Sequence, residues 1–305
     1  MSRIPKLLAF LIVVLLAATT PASDDSTQLA ERIDAYVDPF VEIGHLSGSL
    51  LLVQHGETVY AGSFGLADRE LHVPITAATR SCIASITKPM TQIIALDLLE
   101  NGLIGLDDPL SKWIADFPHG DEITLEMLAH HRAGIPHRLT DSDEEAVPRS
   151  AADMVELARR AQLDFPPGEK TSYSSGGYSV LARVLELATG KSYSDLLEEH
   201  VFAPAAMSDS VHPSGYEIIP NRASSYQFSD DGRLVNTPLK HYSFLVGAGS
   251  VFSTPRDLVR MMQSLVEGAY GELARQELLD DEGIQWAGRT NGYQAFADYE
   301  LEIDT

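Results

Sequence analysis

The sequence predicts an α/β (α+β) fold: an antiparallel sheet formed from N- and C-terminal strands, flanked by helices, with a mostly helical lobe inserted over about 103–245. Three observations predict it. Near the start, Ser49-Leu-Leu-Leu-Val53 and Thr58-Val-Tyr-Ala61 flank His55-Gly56-Glu57, two apolar runs around a turn, which reads as a β-hairpin. Near the end, Tyr293, Ala295, Ala297, Tyr299, Leu301 and Ile303 alternate mainly with polar residues, Phe296 excepted, as in a half-buried strand. Between them, apolar residues recur at helical spacing with frequent Gly and Pro breakers.

In chain order, Leu29, Ile33, Val37, Phe40 and Val41 mark an amphipathic helix capped near Ser26 or Thr27. The hairpin follows, and an irregular stretch from Gly65 to Thr79 leads to a helix whose first turn holds Ser85 and whose apolar face includes Ile93, Ile94, Leu96, Leu98 and Leu99. Asp107-Asp108-Pro109 opens a short helix, and Leu125 to His131 forms another with Gly134 as its C-cap. Asp141 to Glu145 reads as a solvated acidic turn. Ser150 caps a helix through Ala161, and helices follow over about Gly177–Ala188 and Ser194–Phe202. Thr254-Pro255, a cap with proline at the first helical position, opens a helix to about Val266. There is no internal repeat and no low-complexity segment.

Residues 1–22 stand apart from this fold. Arg3 and Lys6 precede an apolar run from Leu7 to Ala18, and Thr20-Pro-Ala22 offers small residues for cleavage, the pattern of an export signal. The expected domain is then 23–305, periplasmic or secreted, with no membrane role beyond the signal. The formal net charge of −22 argues against nucleic-acid partners and anionic membrane surfaces. Cys82 is the only cysteine, so no intrachain disulfide can form, and its apolar flanks suit a packed thiol.

The chemistry is expected in Arg80-Ser-Cys-Ile-Ala-Ser-Ile-Thr-Lys-Pro89. Ser85 and Lys88 lie three apart on one helix face, so the amine can reach the hydroxyl, and a lysine whose pKa is lowered by burial can take its proton. Alone, S-x-x-K is a weak signal, since most such pairs are solvated surface. A second stretch, Phe165-Pro-Pro-Gly-Glu-Lys-Thr-Ser-Tyr-Ser-Ser-Gly-Gly-Tyr178, holds Tyr173 and Ser175 on a constrained loop before a helix. A phenol there can shuttle a proton, and a hydroxyl two residues on can bind substrate or the lysine. A third, Trp286-Ala-Gly-Arg-Thr-Asn-Gly292, offers a cation, a hydroxyl and backbone N–H groups before the last strand. His130 and His131 are adjacent and lack a third ligand at helical spacing, so loop or packing roles are favoured over a metal.

In this order the stretches resemble the serine β-lactamase and penicillin-binding protein superfamily, and within it the class C β-lactamase-like branch of related serine hydrolases. Ala84-Ser-Ile-Thr-Lys-Pro89 resembles the nucleophile motif. Leu128-Ala-His-His-Arg-Ala-Gly-Ile-Pro136 resembles the family's loop between helices, and Phe165-Pro-Pro-Gly168 the turn before its tyrosine. Tyr173-Ser-Ser175 stands where the family has Y-x-N, and Gly247 to Asp257 resembles its next helix start. Two departures stand out: Ser175 replaces an asparagine, and Arg289-Thr290-Asn291 is matched to a motif that usually reads Lys or His, Thr or Ser, then Gly.

The resemblance implies a β-lactamase/transpeptidase-like fold and an exported serine hydrolase working through an acyl-serine. Ser85, Lys88 and Tyr173 are then catalytic, while Ser175, Arg289, Thr290, Asn291 and Gly292 bind substrate, with an oxyanion held by N–H groups of Ser85 and of a residue near Gly292. No metal or cofactor is implied. The substrates implied are esters or amides, β-lactams and D-amino-acid peptides among them. The alternative is a non-catalytic binding or sensor protein for cell-wall peptides. The family continues past the third motif with further strands and a helix, so the C-terminal end is expected to be truncated or shortened. An apolar sheet face left uncovered there would make the chain poorly soluble or a homodimer.

Overall fold

The computed structural model describes residues 22–140 and 142–302, so all but the last residue of the expected export segment lies outside the described residues. The chain opens with α1 (Ala22–Glu42), which runs through Ser26 and Thr27 instead of being capped there. The hairpin forms as expected from β1 (Gly48–Gln54) and β2 (Glu57–Phe64). Its two-residue turn has positive φ at both His55 (51°) and Gly56 (76°), the backbone that suits the twist of paired strands.

The stretch from Gly65 to Thr79, irregular in sequence, contains β3 (Leu66–Asp68) and β4 (Val73–Pro74), and β5 (Ser81–Cys82) follows. Next comes α2 (Thr87–Glu100), the core helix of the molecule. Thr87 to Thr91, Ile93, Ile94, Ala95 and Leu98 are all buried, at about 1.5–3 kcal/mol for each fully buried aliphatic side chain. Around it pack α5 (Ser175–Thr189), α6 (Tyr193–Leu197) and α8 (Glu272–Leu278), after α3 (Leu125–Ala129) and α4 (Ala151–Arg160) in the chain. Strands β6 (Tyr226–Phe228), β7 (Leu234–Asn236) and β8 (Phe252–Ser253) and helix α7 (Pro255–Val266) lie between α6 and α8, and the described chain ends in β9 (Gly283–Thr290) and β10 (Tyr293–Glu300).

Three local expectations need correction. Helix α3 ends at Ala129, with His130 as its C-cap; Gly134 serves instead where its positive φ of 75° lets the backbone pass Phe165, whose carbonyl a Cβ would meet at 2.1 Å. The acidic turn is not simply solvated, because Glu145 is buried and ion-paired with Lys240. The strands do not form one ladder. Among the described residues β1 bonds only to β2 and β10 only to β9, giving separate antiparallel hairpins that both rest on α7.

The apolar face of β10 is also covered. Ala297 joins the main core, Ala295 and Tyr299 pack against it, and Tyr293 joins a second cluster with Cys82, Tyr242 and Phe252. Only Phe296 stands out on the other face, 64% exposed.

Candidate active site

Ser85 sits in a 3-10 turn, Ala84–Ile86, that leads directly into α2. The turn is held from below by a short ladder: Ser81 pairs with Ser253, Cys82 with Phe252, and the Ile83 N–H donates to the Val251 carbonyl at 3.0 Å. Ala84 is forced to φ 48°, a left-handed backbone unusual for a residue with a Cβ. Strain of this kind persists only where the surroundings impose it. Its result here is exposure: from Cys82 to Met90 every residue is buried except Ser85.

Lys88 lies one turn on, 4% exposed, with Nζ 3.4 Å from Ser85 Oγ, 3.3 Å from Ser175 Oγ and 2.7 Å from the Ala248 carbonyl, to all of which it can donate. Its ammonium also faces the rings of Tyr173 (4.6 Å) and Tyr178 (5.5 Å). Burial lowers its pKa to about 7, with no carboxylate among the described residues to compensate its charge. The phenol of Tyr173 donates to Ser85 Oγ at 2.7 Å, and burial raises its pKa above the ordinary tyrosine value. Tyr173 is therefore a neutral donor near pH 7, while Lys88 is divided between its two forms.

Backbone bonds fix the loop that carries Tyr173. Asp164 N–H donates to the Gly134 carbonyl (2.8 Å), Gly168 N–H to Arg132 (2.9 Å) and Ser172 N–H to His131 (2.9 Å), so 131–137 and 164–175 run side by side. Ser174 then caps α5, accepting from Gly177 N–H at 2.8 Å and donating to the Pro136 carbonyl at 3.2 Å. Helix α5 starts at Ser175, two residues before the position read from the sequence, which brings the Ser175 hydroxyl to Lys88. Segment 247–251 supports the other side, the Gly247 carbonyl accepting from Thr91 Oγ1 at 2.6 Å.

The third stretch divides. Gly288, which the sequence reading did not single out, is where β9 closes on the nucleophile: a Cβ there would lie 2.0 Å from the Ile83 carbonyl and 2.9 Å from Ser85 N. Arg289 is exposed and Thr290 half-buried beyond it. Asn291 and Gly292 form the hairpin turn, which packs away from Ser85: Asn291 Nδ2 donates to the Pro238 carbonyl at 3.1 Å, and the Asn291 carbonyl accepts from Tyr242 at 3.3 Å. Gly292 abuts Tyr226. The missed signal was a lone glycine inside a strand, which often marks close backbone approach.

No group of His, Cys, Asp and Glu able to hold a metal occurs among the described residues. His130 instead ties α3 to α8, with Nε2 at 2.9 Å from Glu277. A groove of about 490 Å³ between α1 and β2, lined by Asp34 and Tyr60 among others, shares no residue with the Ser85 cluster.

The chain is similar to several known proteins. D-alanyl-D-alanine-carboxypeptidase/endopeptidase AmpH of Escherichia coli K12 is 28% identical over 255 residues, covering 81% of this chain and 64% of that protein. Esterase EstB of Burkholderia gladioli is 32% identical over 209 residues, covering 62% of this chain and 53% of that protein. FmtA of Staphylococcus aureus superposes with a TM-score of 0.78 at 21% identity, covering 94% of this chain and 84% of that one. The chain spans between 54% and 64% of the length of the first curated relatives it matches. The family model described as Beta-lactamase matches residues 33–300, a span that holds every contact made by Ser85, Lys88 and Tyr173, and the chain belongs to that family.

Proposed function

We propose that the chain is a serine hydrolase that acylates Ser85, with Lys88 as the proton acceptor and Tyr173 as the proton shuttle. The observation that carries this is the convergence of Tyr173, Lys88 and Ser175 around the one unburied residue of the 82–90 stretch. The free amine of Lys88 takes the Ser85 proton as Oγ attacks the substrate carbonyl carbon. The oxyanion forms beside Ser85 N–H and the backbone of β9 near Gly288, where fixed dipoles stabilise it. Tyr173 gives its proton to the departing oxygen or nitrogen and regains one from Lys88. Water then attacks the acyl carbon, its proton passes along the same groups to Ser85 Oγ, and the Oγ–C bond breaks to release the acid and the free serine.

The substrate class we propose is small esters ahead of β-lactams. Ser175 supplies a short hydroxyl where an amide would bind a lactam side chain, and the planar, exposed guanidinium of Arg289 replaces a compact ammonium or imidazole. Similarity to an esterase supports the same order. Export to the periplasm or medium belongs to the proposal too and rests on the pattern of residues 1–22.

A fluorophosphonate probe, with the adduct located by mass spectrometry, tests the nucleophile. Labelling of Ser85 that vanishes in Ser85→Ala is expected, and labelling retained in that variant removes the assignment. Comparing p-nitrophenyl esters, a chromogenic cephalosporin and D-Ala-D-Ala peptides tests the substrate order. Cephalosporin turnover faster than that of every ester reverses it, and turnover of none favours the non-catalytic binding protein.

A further inference from the structure

Two imidazoles flank the ring of Tyr173, at 4.6 Å for His131 and 5.4 Å for His137 between ring centroids. Each also accepts a hydrogen bond from the loop's backbone. Ser174 N–H donates to His131 Nδ1 at 3.1 Å, and Ser175 N–H donates to His137 Nδ1 at 3.2 Å. Consecutive N–H groups at the start of α5 thus end on two ring nitrogens, which must both be unprotonated to accept. The two histidines occupy opposite ends of segment 131–137, so the clamp is built by one loop closing on another.

We propose that His137 is a positioning residue whose neutral imidazole holds Ser175 and Tyr173 in register with Lys88 and Ser85, so that its protonation switches the site off. The proposal rests on the assignment of Ser85 as nucleophile. A proton on Nδ1 would turn an acceptor toward a donor, lose the Ser175 bond and place a second positive charge near Lys88. Ser175 carries the hydroxyl 3.3 Å from the Lys88 amine, and Tyr173 immediately precedes the cap, so a shift there moves both groups.

The groups facing His137 agree on the direction. Lys88 from α2 and Arg138 beside His137 in sequence oppose a further positive charge, His131 lies across the Tyr173 ring, and no carboxylate among the described residues counters them. Burial acts the same way and comes first, so the His137 pKa falls below the ordinary histidine value, and that of His131 falls to about 4. Lys88, at about 7, takes its proton before His137 as the medium is acidified.

The test is the pH dependence of p-nitrophenyl ester turnover in the wild type, His137→Ala and His137→Asn, with fluorophosphonate labelling alongside. Asparagine can set its carbonyl oxygen where Nδ1 lies but cannot take a proton. In the wild type the acid limb should steepen from first to second order in protons as His137 titrates below Lys88. His137→Ala should lose about tenfold or more in kcat with little change in KM, as expected when catalytic groups move without loss of binding. His137→Asn should recover most of that loss and keep a first-order acid limb. An unchanged kcat in His137→Ala overturns the proposal, and so does an unaltered steep limb in His137→Asn. Absence of Ser85 labelling in the wild type would instead remove the nucleophile assignment on which it stands. Thermal melts of both variants separate a misfolded protein from a mispositioned loop.

Discussion

A lysine amine divided between its two forms near neutrality makes the acylation rate follow one titration. Because the free amine is the base, kcat/KM for a neutral ester should rise with pH through about 7 and then level off. The same group fixes a stability trend of known sign. Its folded pKa lies below the unfolded lysine value of about 10.4, so the unfolded state binds more protons between those limits. Stability from this residue is lowest below pH 7 and recovers as pH rises toward 10. Lys88→Met should therefore be inactive yet more stable than the wild type at pH 6, by an amount on the order of a few kcal/mol, less about 1 kcal/mol for the Ala248 carbonyl left unpaired. Urea midpoints at pH 6 and pH 9 check this, and a gap that does not shrink with rising pH refutes it. At Gly288 the issue is space. The Cβ of Gly288→Ala would meet the Ile83 carbonyl at 2.0 Å, so β9 must retreat from Ser85. A displacement near 1 Å at an oxyanion site is expected to cost on the order of 100-fold in kcat/KM. An acylation rate within twofold of the wild type would show that β9 takes no part.

Helix α5 shows what an element contributes beyond its residues. Ser174 Oγ both accepts from Gly177 N–H and donates to the Pro136 carbonyl, so one hydroxyl starts the helix and joins its loop to 131–137. Ser174→Ala should cost about 1–2 kcal/mol, the usual loss of an N-cap, and should lower kcat as well because Tyr173 immediately precedes the cap. Differential scanning calorimetry and ester turnover check the two parts. Elements of this kind were legible in the sequence when local chemistry specified them: the Thr254-Pro255 start of α7 and the His55-Gly56 hairpin turn. Less legible were β5 and β8, two residues each, and the short helix α8, because such pieces carry no period and owe their form to tertiary pairing. The site divides the same way. Ser85, Lys88 and Tyr173 could be read from motif spacing. Gly288 could not be located without knowing which part of β9 lies against the 3-10 turn, and the imidazole bonds to Ser174 and Ser175 join segments about 40 residues apart.

For the whole molecule two opposed terms decide whether copies associate. Among the described residues β1 pairs only with β2 and β10 only with β9, so the outer edge of β1 carries no further strand, and both hairpins rest on α7. The β1 sequence Gly-Ser-Leu-Leu-Leu-Val-Gln contains no charge and no proline, so it lacks the devices that usually protect an edge from pairing with another chain. Against this stands a net charge of −22, which repels a second copy wherever the charges are not screened. Screening shortens the reach of that repulsion from about 30 Å at 0.01 M salt to about 3 Å at 1 M, while backbone hydrogen bonds across an edge are little affected. Self-association should therefore increase with ionic strength, the reverse of an interface held by ion pairs. Sedimentation velocity from 0.01 to 1 M NaCl should show a monomer at the low end and a growing dimer population at the high end. Leu51→Lys on β1 should reduce that dimer while leaving ester turnover unchanged, since β1 shares no residue with the site. A salt-independent monomer, or a dimer indifferent to Leu51→Lys, would show that the β1 edge is closed to a second chain.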